Sequence, residues 1–262
     1  MYGFQFYLKY YMFDFFHKKN KISDIEWLGV DIHSHILPGI DDGSKEIGQS
    51  LGYIHEMQEL GFSRLVCTPH IFQDLYPNTP ETILPVLKTV QEEVKKQNLS
   101  IEINAAAEYM ADSEFVVKEG LLVFPGQHIL IEMSYLMETP NIENIIFELQ
   151  LLGYRVILAH PERYNFYFRH PERYEKLKNM GCAFQLNLLS VLGYYGKGVK
   201  TMAEHLLKAQ MYDFAGTDLH HDKHMKMLSD AVKSGRLHTL VGNYGFRNKE
   251  VFTNDAFITK SI

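Results

Sequence analysis

The segment Asp31-Ile32-His33-Ser34-His35 ends an apolar run and carries two histidines one residue apart, with Asp41 and Asp42 in the loop beyond. Successive side chains of an extended strand point to opposite sides, so His33 and His35 face the same way. Two converging imidazoles are a ready pair of metal ligands, and histidine also suits proton transfer near neutral pH. The chain holds 13 histidines, so position rather than number must select those that do chemistry.

The elements that would position such residues repeat along the chain. Apolar runs at 28–32, 64–68, 100–107, 128–132, 155–159, 183–187 and 212–217 read as strands. At or just beyond their ends stand His33 and His35, then His70, Glu108, Glu132, His160 with Arg163, Asn187, and finally Asp218 with His220. Helix-like stretches lie between. The clearest puts Leu51, Ile54, Met57 and Leu60 on one face and stops at Gly61; others cover 82–97, 141–152, 172–180 and 199–210. Strands alternating with helices predict a parallel sheet with helices outside. About seven such units suit a closed barrel of the triose-isomerase kind or a seven-stranded relative, with a doubly wound open sheet as the main alternative. No Gly-x-Gly-x-x-Gly follows the first strand, which disfavours a dinucleotide site. In a parallel barrel the C-terminal strand ends converge on one face, where these side chains would meet.

A carboxylate closing an apolar strand, as Glu108 and Glu132 do, is costly to bury unless it is paired or binds a cation. Asp218-Leu219-His220 repeats the alternation of the first strand. In Ala159-His160-Pro161-Glu162-Arg163, an imidazole followed three residues later by a guanidinium suits a metal ligand beside a phosphate clamp. Glu162, His170, His205 and His238 read as surface or helix residues, His17 and His55 carry no assigned role, and His128 begins a strand and belongs at the opposite end.

Net charge is −6, hydrophobic residues are 46% and charged residues 22%. That describes a soluble globular chain with a sizeable core and no basic excess that would suit nucleic acid. Two cysteines make a disulfide framework unexpected and suit a reducing compartment, the cytoplasm. Neither cysteine can serve a cysteine-based tyrosine phosphatase, which needs arginine six positions on; Gln73 and Leu188 stand there instead. An aspartyl-phosphate route lacks its Asp-x-Asp-x-Thr segment. Residues 1–27 read as an extension before one domain at 28–262. Within it, residues 1–16 are rich in Tyr and Phe but interrupted by Lys9 and Asp14, too short and charged for a membrane span. A packed or mobile extension, an interfacial anchor, and sequence upstream of a start at Met12 are the readings open.

Asp31-Ile-His-Ser-His-Ile-Leu-Pro-Gly-Ile-Asp-Asp-Gly43 resembles the opening motif of the polymerase and histidinol phosphatase superfamily. More narrowly it resembles the bacterial manganese-dependent protein-tyrosine phosphatases of capsule and exopolysaccharide operons. Thr68-Pro-His70, Ala107-Glu108-Tyr109, Ile131-Glu132, Ala159-His-Pro-Glu-Arg-Tyr164, Gln185-Leu-Asn187 and Gly216-Thr-Asp-Leu-His220 follow in order. The resemblance implies a distorted seven-stranded barrel holding three divalent metal ions, manganese first and iron or zinc as alternatives. Carried over by position, His33, His35, Glu108 and Asp218 hold the first metal. Glu108 bridges to a second with Glu132 and His160, and Asp42, His70 and His220 hold the third. Arg163 matches an arginine used on the phosphate. Ile71 stands where many relatives have a second histidine. His221-Asp-Lys-His224 replaces an arginine, leaving Lys223 as a substitute contact.

The resemblance also implies the substrate: phosphotyrosine on a protein, the tyrosine-rich tail of a membrane-associated autokinase that controls polysaccharide assembly. Phenolate leaves readily, tyrosine's pKa being about 10, so a strong general acid is dispensable; His220 is the protein's candidate proton source. Tyr109, Tyr135, Tyr164 and Tyr194 are candidates to flank a phenyl ring or simply pack the rim. A histidinol-phosphate or other small-molecule phosphatase and a metal-binding scaffold without turnover are the rival readings. An amidohydrolase is disfavoured, since Glu132 stands where a bridging lysine is expected.

Overall fold

The computed structural model describes residues 21–252; the questions about an anchor and a start at Met12 fall outside them. In chain order the strands are β1 (Val30–Asp31), β2 (Arg64–Cys67), β3 (His70–Ile71), β4 (Glu102–Ala105), β5 (Glu108–Met110), β6 (His128–Glu132), β7 (Arg155–Ala159), β8 (Ala183–Asn187) and β9 (Phe214–Gly216). The helices are α1 (Ile47–Leu60), α2 (Pro80–Lys96), α3 (Ile142–Leu151), α4 (Glu172–Asn179), α5 (Leu188–Leu192), α6 (Lys197–Lys208), α7 (Asp222–Lys233), α8 (Arg236–Val241) and α9 (Asn248–Phe252).

All strand pairings between these elements are parallel. They form a three-stranded sheet ordered β1-β2-β4 and a six-stranded sheet ordered β3-β5-β6-β7-β8-β9. The single closed seven-stranded sheet expected from the sequence is therefore replaced by two sheets. The second runs in chain order, without the reversal that marks a doubly wound fold. Thr68-Pro69 separates β2 from β3, and Ala106-Ala107 separates β4 from β5. Pro69 has no N–H to give a ladder.

No ladder joins β1 to β9, and side chains take its place. Asn248 donates from Nδ2 to the carbonyls of Val30 (2.9 Å) and Ala215 (2.7 Å), and its Oδ1 accepts the Ala215 N–H at 3.0 Å. Higher up, Asp31 accepts from the Thr217 N–H (2.9 Å) and hydroxyl (2.7 Å). Burial raises the Asp31 pKa to about 6 even though Thr217 opposes the shift. A single parallel bridge between Ser34 and Leu219 completes the seam.

Every residue of β6 is buried, as a parallel strand covered on both faces should be. The α1 stripe of Leu51, Ile54, Met57 and Leu60 is buried, and Gly61 ends the helix at φ 106°, which glycine adopts freely. Thr79 and Thr82 form a reciprocal cap on α2. The sequence reading has no counterpart for α5, α7, α8 or α9; three of them are only five or six residues long, too short to show a helical period. Ile25 is fully buried in the core, so packing begins before residue 28.

Candidate metal centre

Parallel register sets His70 beside Glu108 on β3 and β5, and Met110 beside Glu132 on β5 and β6. Glu108 and His70 thus begin short continuation strands rather than ending long ones. His33, His35, Glu108, Glu132, His160 and Asp218 are all buried. Four overlapping groups of potential ligand atoms lie within 4.8 Å: His35, Asp42, His70 and His220; His33, His35 and Asp218; His33, Glu108 and His160; His70, Glu108 and Glu132.

Glu108 is the hub. Its Oε2 lies 3.2 Å from His33 Nε2, 3.3 Å from His35 Nε2 and 3.2 Å from His70 Nδ1, and its Oε1 lies 3.2 Å from His160 Nε2. Glu132 faces His70 at 3.1 Å and His160 at 3.8 Å. Asp42 stands 3.5 Å from both His70 Nε2 and His220 Nε2. His70 therefore joins groups that the carried-over scheme keeps apart.

The outer atoms of the imidazoles decide what the inner atoms can do. His33 Nδ1 lies 2.9 Å from Gln185 Oε1, a carbonyl that only accepts, so Nδ1 carries the proton. His35 Nδ1 lies 2.8 Å from Asp41 Oδ2 and donates likewise. In the neutral rings both Nε2 atoms then offer lone pairs 3.3 Å apart, toward a carboxylate oxygen that has no hydrogen-bond partner. Lone pairs facing one another at that distance repel unless a positive charge lies among them. Burial opposes charge on His33, yet Glu108 and Asp218 outweigh it and raise its pKa to about 9. On Glu108 burial pushes the pKa up, but the surrounding imidazoles, His33 foremost, hold it well below the usual carboxylate range. Protons here answer a demand for positive charge, and the oxygen and imidazole donors match divalent cations such as manganese, iron or zinc. The residues fit a cluster of such ions.

His160 and Asp218 adopt left-handed backbone at φ 33° and 51°, uncommon for residues other than glycine and concentrated at functional sites. The Asp218 N–H donates to the His33 carbonyl at 2.7 Å. Its own carbonyl accepts from His220 Nδ1 at 2.9 Å and His224 Nδ1 at 3.1 Å. His220 consequently turns Nε2 toward Asp42. Burial, aided by His35, lowers the His220 pKa to about 4.

Arg163 reaches Asp218 Oδ2 with Nη1 at 2.6 Å, its guanidinium carbon 4.5 Å from the centre of the Tyr135 ring and 4.2 Å from that of Tyr195. It adjoins the cluster and, among the described residues, forms no ion pair with Glu108 or Glu132. Lys223 is exposed on the first turn of α7 and forms no ion pair with the cluster among the described residues.

Several roles escaped the sequence. Glu162, read there as a surface or helix residue, lies in the turn Pro161–Arg163 but is fully buried, accepting from the Asn187 N–H at 3.0 Å and the Tyr212 hydroxyl at 2.9 Å. Asp41 and Gln185 orient the histidines, and His224 and Tyr195 join the surround. Of the aromatic candidates, Tyr109 and Tyr164 are core residues whose hydroxyls bind backbone N–H groups. Tyr135 lies on Arg163, and Tyr194 packs on His224. Asp41 has a signal in sequence, a second carboxylate beside Asp42; nothing local separates Glu162 from an exposed glutamate.

The family model for capsular polysaccharide synthesis, CpsB/CapC, matches residues 29–234. The tyrosine-protein phosphatase YwqE of Bacillus subtilis is 26% identical over 198 residues, 74% of this chain and 78% of the relative. The tyrosine-protein phosphatase CpsB of Streptococcus agalactiae serotype V is 28% identical over 214 residues, 78% and 88% of the two chains. A crystal structure from work on YwqE of Bacillus subtilis and CpsB of Streptococcus pneumoniae, described as metal-dependent tyrosine phosphatases, superposes with a TM-score of 0.70. It is 24% identical and covers 87% of this chain and 96% of its own; the two share a fold. Among the described residues no helix is long and apolar enough to cross a membrane.

Proposed function

The chain belongs to the CpsB/CapC family of capsular polysaccharide synthesis, and from that premise we propose that it hydrolyses phosphotyrosine on proteins, using divalent cations held by the Glu108 cluster. The observation that carries the reading is a buried carboxylate oxygen, Glu108 Oε2, facing three imidazoles, with a guanidinium beside the cluster. The ligand sets are His33, His35, Glu108 and Asp218; Glu108, Glu132 and His160; and Asp42, His70 and His220, with manganese the first choice. Divalent cations there supply Lewis acidity, neutralising phosphate charge and activating water for attack on phosphorus.

The remaining work falls to the chain's own groups. Arg163 presents a planar, permanently charged fork to the non-bridging phosphate oxygens. Its contact with Asp218 and the two tyrosine faces hold it in place before substrate arrives. Burial and His35 lower the His220 pKa, and its Nδ1 faces the Asp218 carbonyl, which favours a ligand over a proton donor. Phenolate needs no strong acid to depart.

On this reading β2 with β3, and β4 with β5, are halves of single staves, giving seven staves of a distorted barrel. The substrate is a phosphotyrosine tail of a membrane-associated autokinase, met in the cytoplasm. That the relatives are named tyrosine-protein phosphatases supports phosphotyrosine as the group removed.

Metal analysis and turnover of a phosphotyrosine peptide, measured on wild type and the His33→Ala/His35→Ala double variant, test the proposal. Wild type should bind metal and hydrolyse the peptide, and the double variant should lose both. Full activity in the double variant refutes the site. Faster turnover of histidinol phosphate than of peptide moves the substrate to a small molecule, and bound metal without hydrolysis of either makes the protein a scaffold.

A further inference from the structure

Glu162 precedes Arg163 in the turn Pro161–Arg163, yet the two side chains part company. Arg163 lies at the cluster's edge, whereas Glu162 is fully buried. A carboxylate in such a place is costly unless its oxygens are engaged, and both are. Oε1 accepts the Asn187 N–H at 3.0 Å, and Oε2 accepts the Tyr212 hydroxyl at 2.9 Å.

Asn187 carries the connection onward. It ends β8, and its Oδ1 accepts the Leu189 N–H at 2.9 Å, capping α5. Its Nδ2 donates to Asp218 Oδ2 at 2.8 Å and to the Tyr195 hydroxyl at 3.1 Å. Those are the same carboxylate oxygen and the same tyrosine that hold Arg163. Glu162 therefore fixes both the backbone bearing Arg163 and the strand end whose side chain frames it.

The geometry points to Glu162 as the positioning residue of the Arg163 clamp, tying Arg163 to Asn187, Tyr195 and Asp218 so that the guanidinium is preset for a phosphate group. This rests on the phosphatase reading for its substrate, but not for its binding readout. Small displacements of a preset clamp weaken binding and turnover strongly, even when the altered residue lies away from the chemistry.

The metal-loaded full chain would be compared as wild type, Glu162→Leu, Tyr212→Phe and Glu162→Gln. Affinity for inorganic phosphate by calorimetry, kcat and KM on a phosphotyrosine peptide, metal content and Tm would be measured on each. Glu162→Leu should weaken phosphate binding and raise KM about tenfold with metal content unchanged. Tyr212→Phe should move both in the same direction by less. Glu162→Gln should stay near wild type, since its amide oxygen accepts from Asn187 and its amide nitrogen donates to the Tyr212 oxygen.

Unchanged phosphate affinity and KM in the folded variants, whatever their Tm, reduce Glu162 to a structural residue and overturn the proposal, as does loss of metal. If Glu162→Leu does not fold, Tyr212→Phe decides. A wild type that binds phosphate but does not hydrolyse the peptide overturns the phosphatase reading alone, and the phosphate titrations still judge Glu162. A wild type that neither binds phosphate nor hydrolyses the peptide overturns both.

Discussion

Arg163 and Asp218 meet at 2.6 Å through Nη1 and Oδ2, while the other Asp218 oxygen, Oδ1, lies 3.3 Å from His33 Nε2 and 3.5 Å from His35 Nε2. One carboxylate is thus shared between the guanidinium and the imidazole cluster. Burial works against its charge, but His33 and the neighbouring cations, Arg163 among them, hold its pKa well below the usual range.

Replacing Arg163 should separate the two duties. Arg163→Ala is expected to lower kcat/KM on a phosphotyrosine peptide by about 10²-fold, the scale for loss of one preset donor to a charged transition state. Arg163→Lys should recover part of it, lacking the planar fork. Metal content, measured by elemental analysis, should stay at the wild-type value. Loss of metal would reassign Arg163 to holding Asp218.

Asp41 acts on the cluster through His35. It accepts His35 Nδ1 at 2.8 Å, and its two oxygens also take the N–H groups of Gly43 and His70. Asp41→Asn should reduce metal affinity by about 10–100-fold, the usual effect of losing a carboxylate that orients a ligating histidine. A competitive chelator titration would measure it, and unchanged affinity would show that His35 needs no such support.

At the far end of the strands, His128 is buried against Phe214 and Phe252, with Nδ1 donating to the Pro125 carbonyl at 2.8 Å. Burial lowers its pKa below 6.5. The unfolded chain therefore takes up this proton first as pH falls. The stabilisation from a neutral His128 is complete above about pH 6.5 and is lost as pH drops through the folded value. His128→Asn keeps a donor for Pro125 but cannot titrate, so its Tm should fall less between pH 7.5 and pH 5 than that of wild type. Equal pH slopes would remove His128 from the account.

The cysteines should be chemically silent. Cys67 and Cys182 are both buried and unpaired. Burial raises both thiols, Cys182 to about 12, and the thiolate is the reactive form. At pH 8 the folded protein should react with neither equivalent of a thiol reagent, while the unfolded chain reacts with two. Rapid labelling of native protein would show an opening that the packing does not.

Strand ends carried most of what was legible in the sequence. An apolar run closed by a histidine or carboxylate is a local pattern, and His33, His35, Glu108, Glu132, His160 and Asp218 could each be picked out from neighbours a few residues away. Helix faces such as Leu51-Ile54-Met57 were legible for the same reason. The short segments α5, α8 and α9 were not, because five or six residues do not complete enough turns to show a period.

What the sequence by itself determined was an inventory: which ligand types this chain brings, in which order, and on parallel strands. Only the tertiary structure decided how they are divided and oriented. His70 belongs to two groups at once because β3 sits in register with β5, and Asp41 rather than Asp42 orients His35. Glu162 is buried against Asn187 and Tyr212 instead of exposed, and the strands split into two sheets at Pro69 and Ala106-Ala107. The reason is physical. Strand and helix periods are set by neighbours in the chain, whereas a buried polar atom is tolerated only where distant residues satisfy it. The partners of Glu162, at positions 187 and 212, come into reach only when the fold is complete.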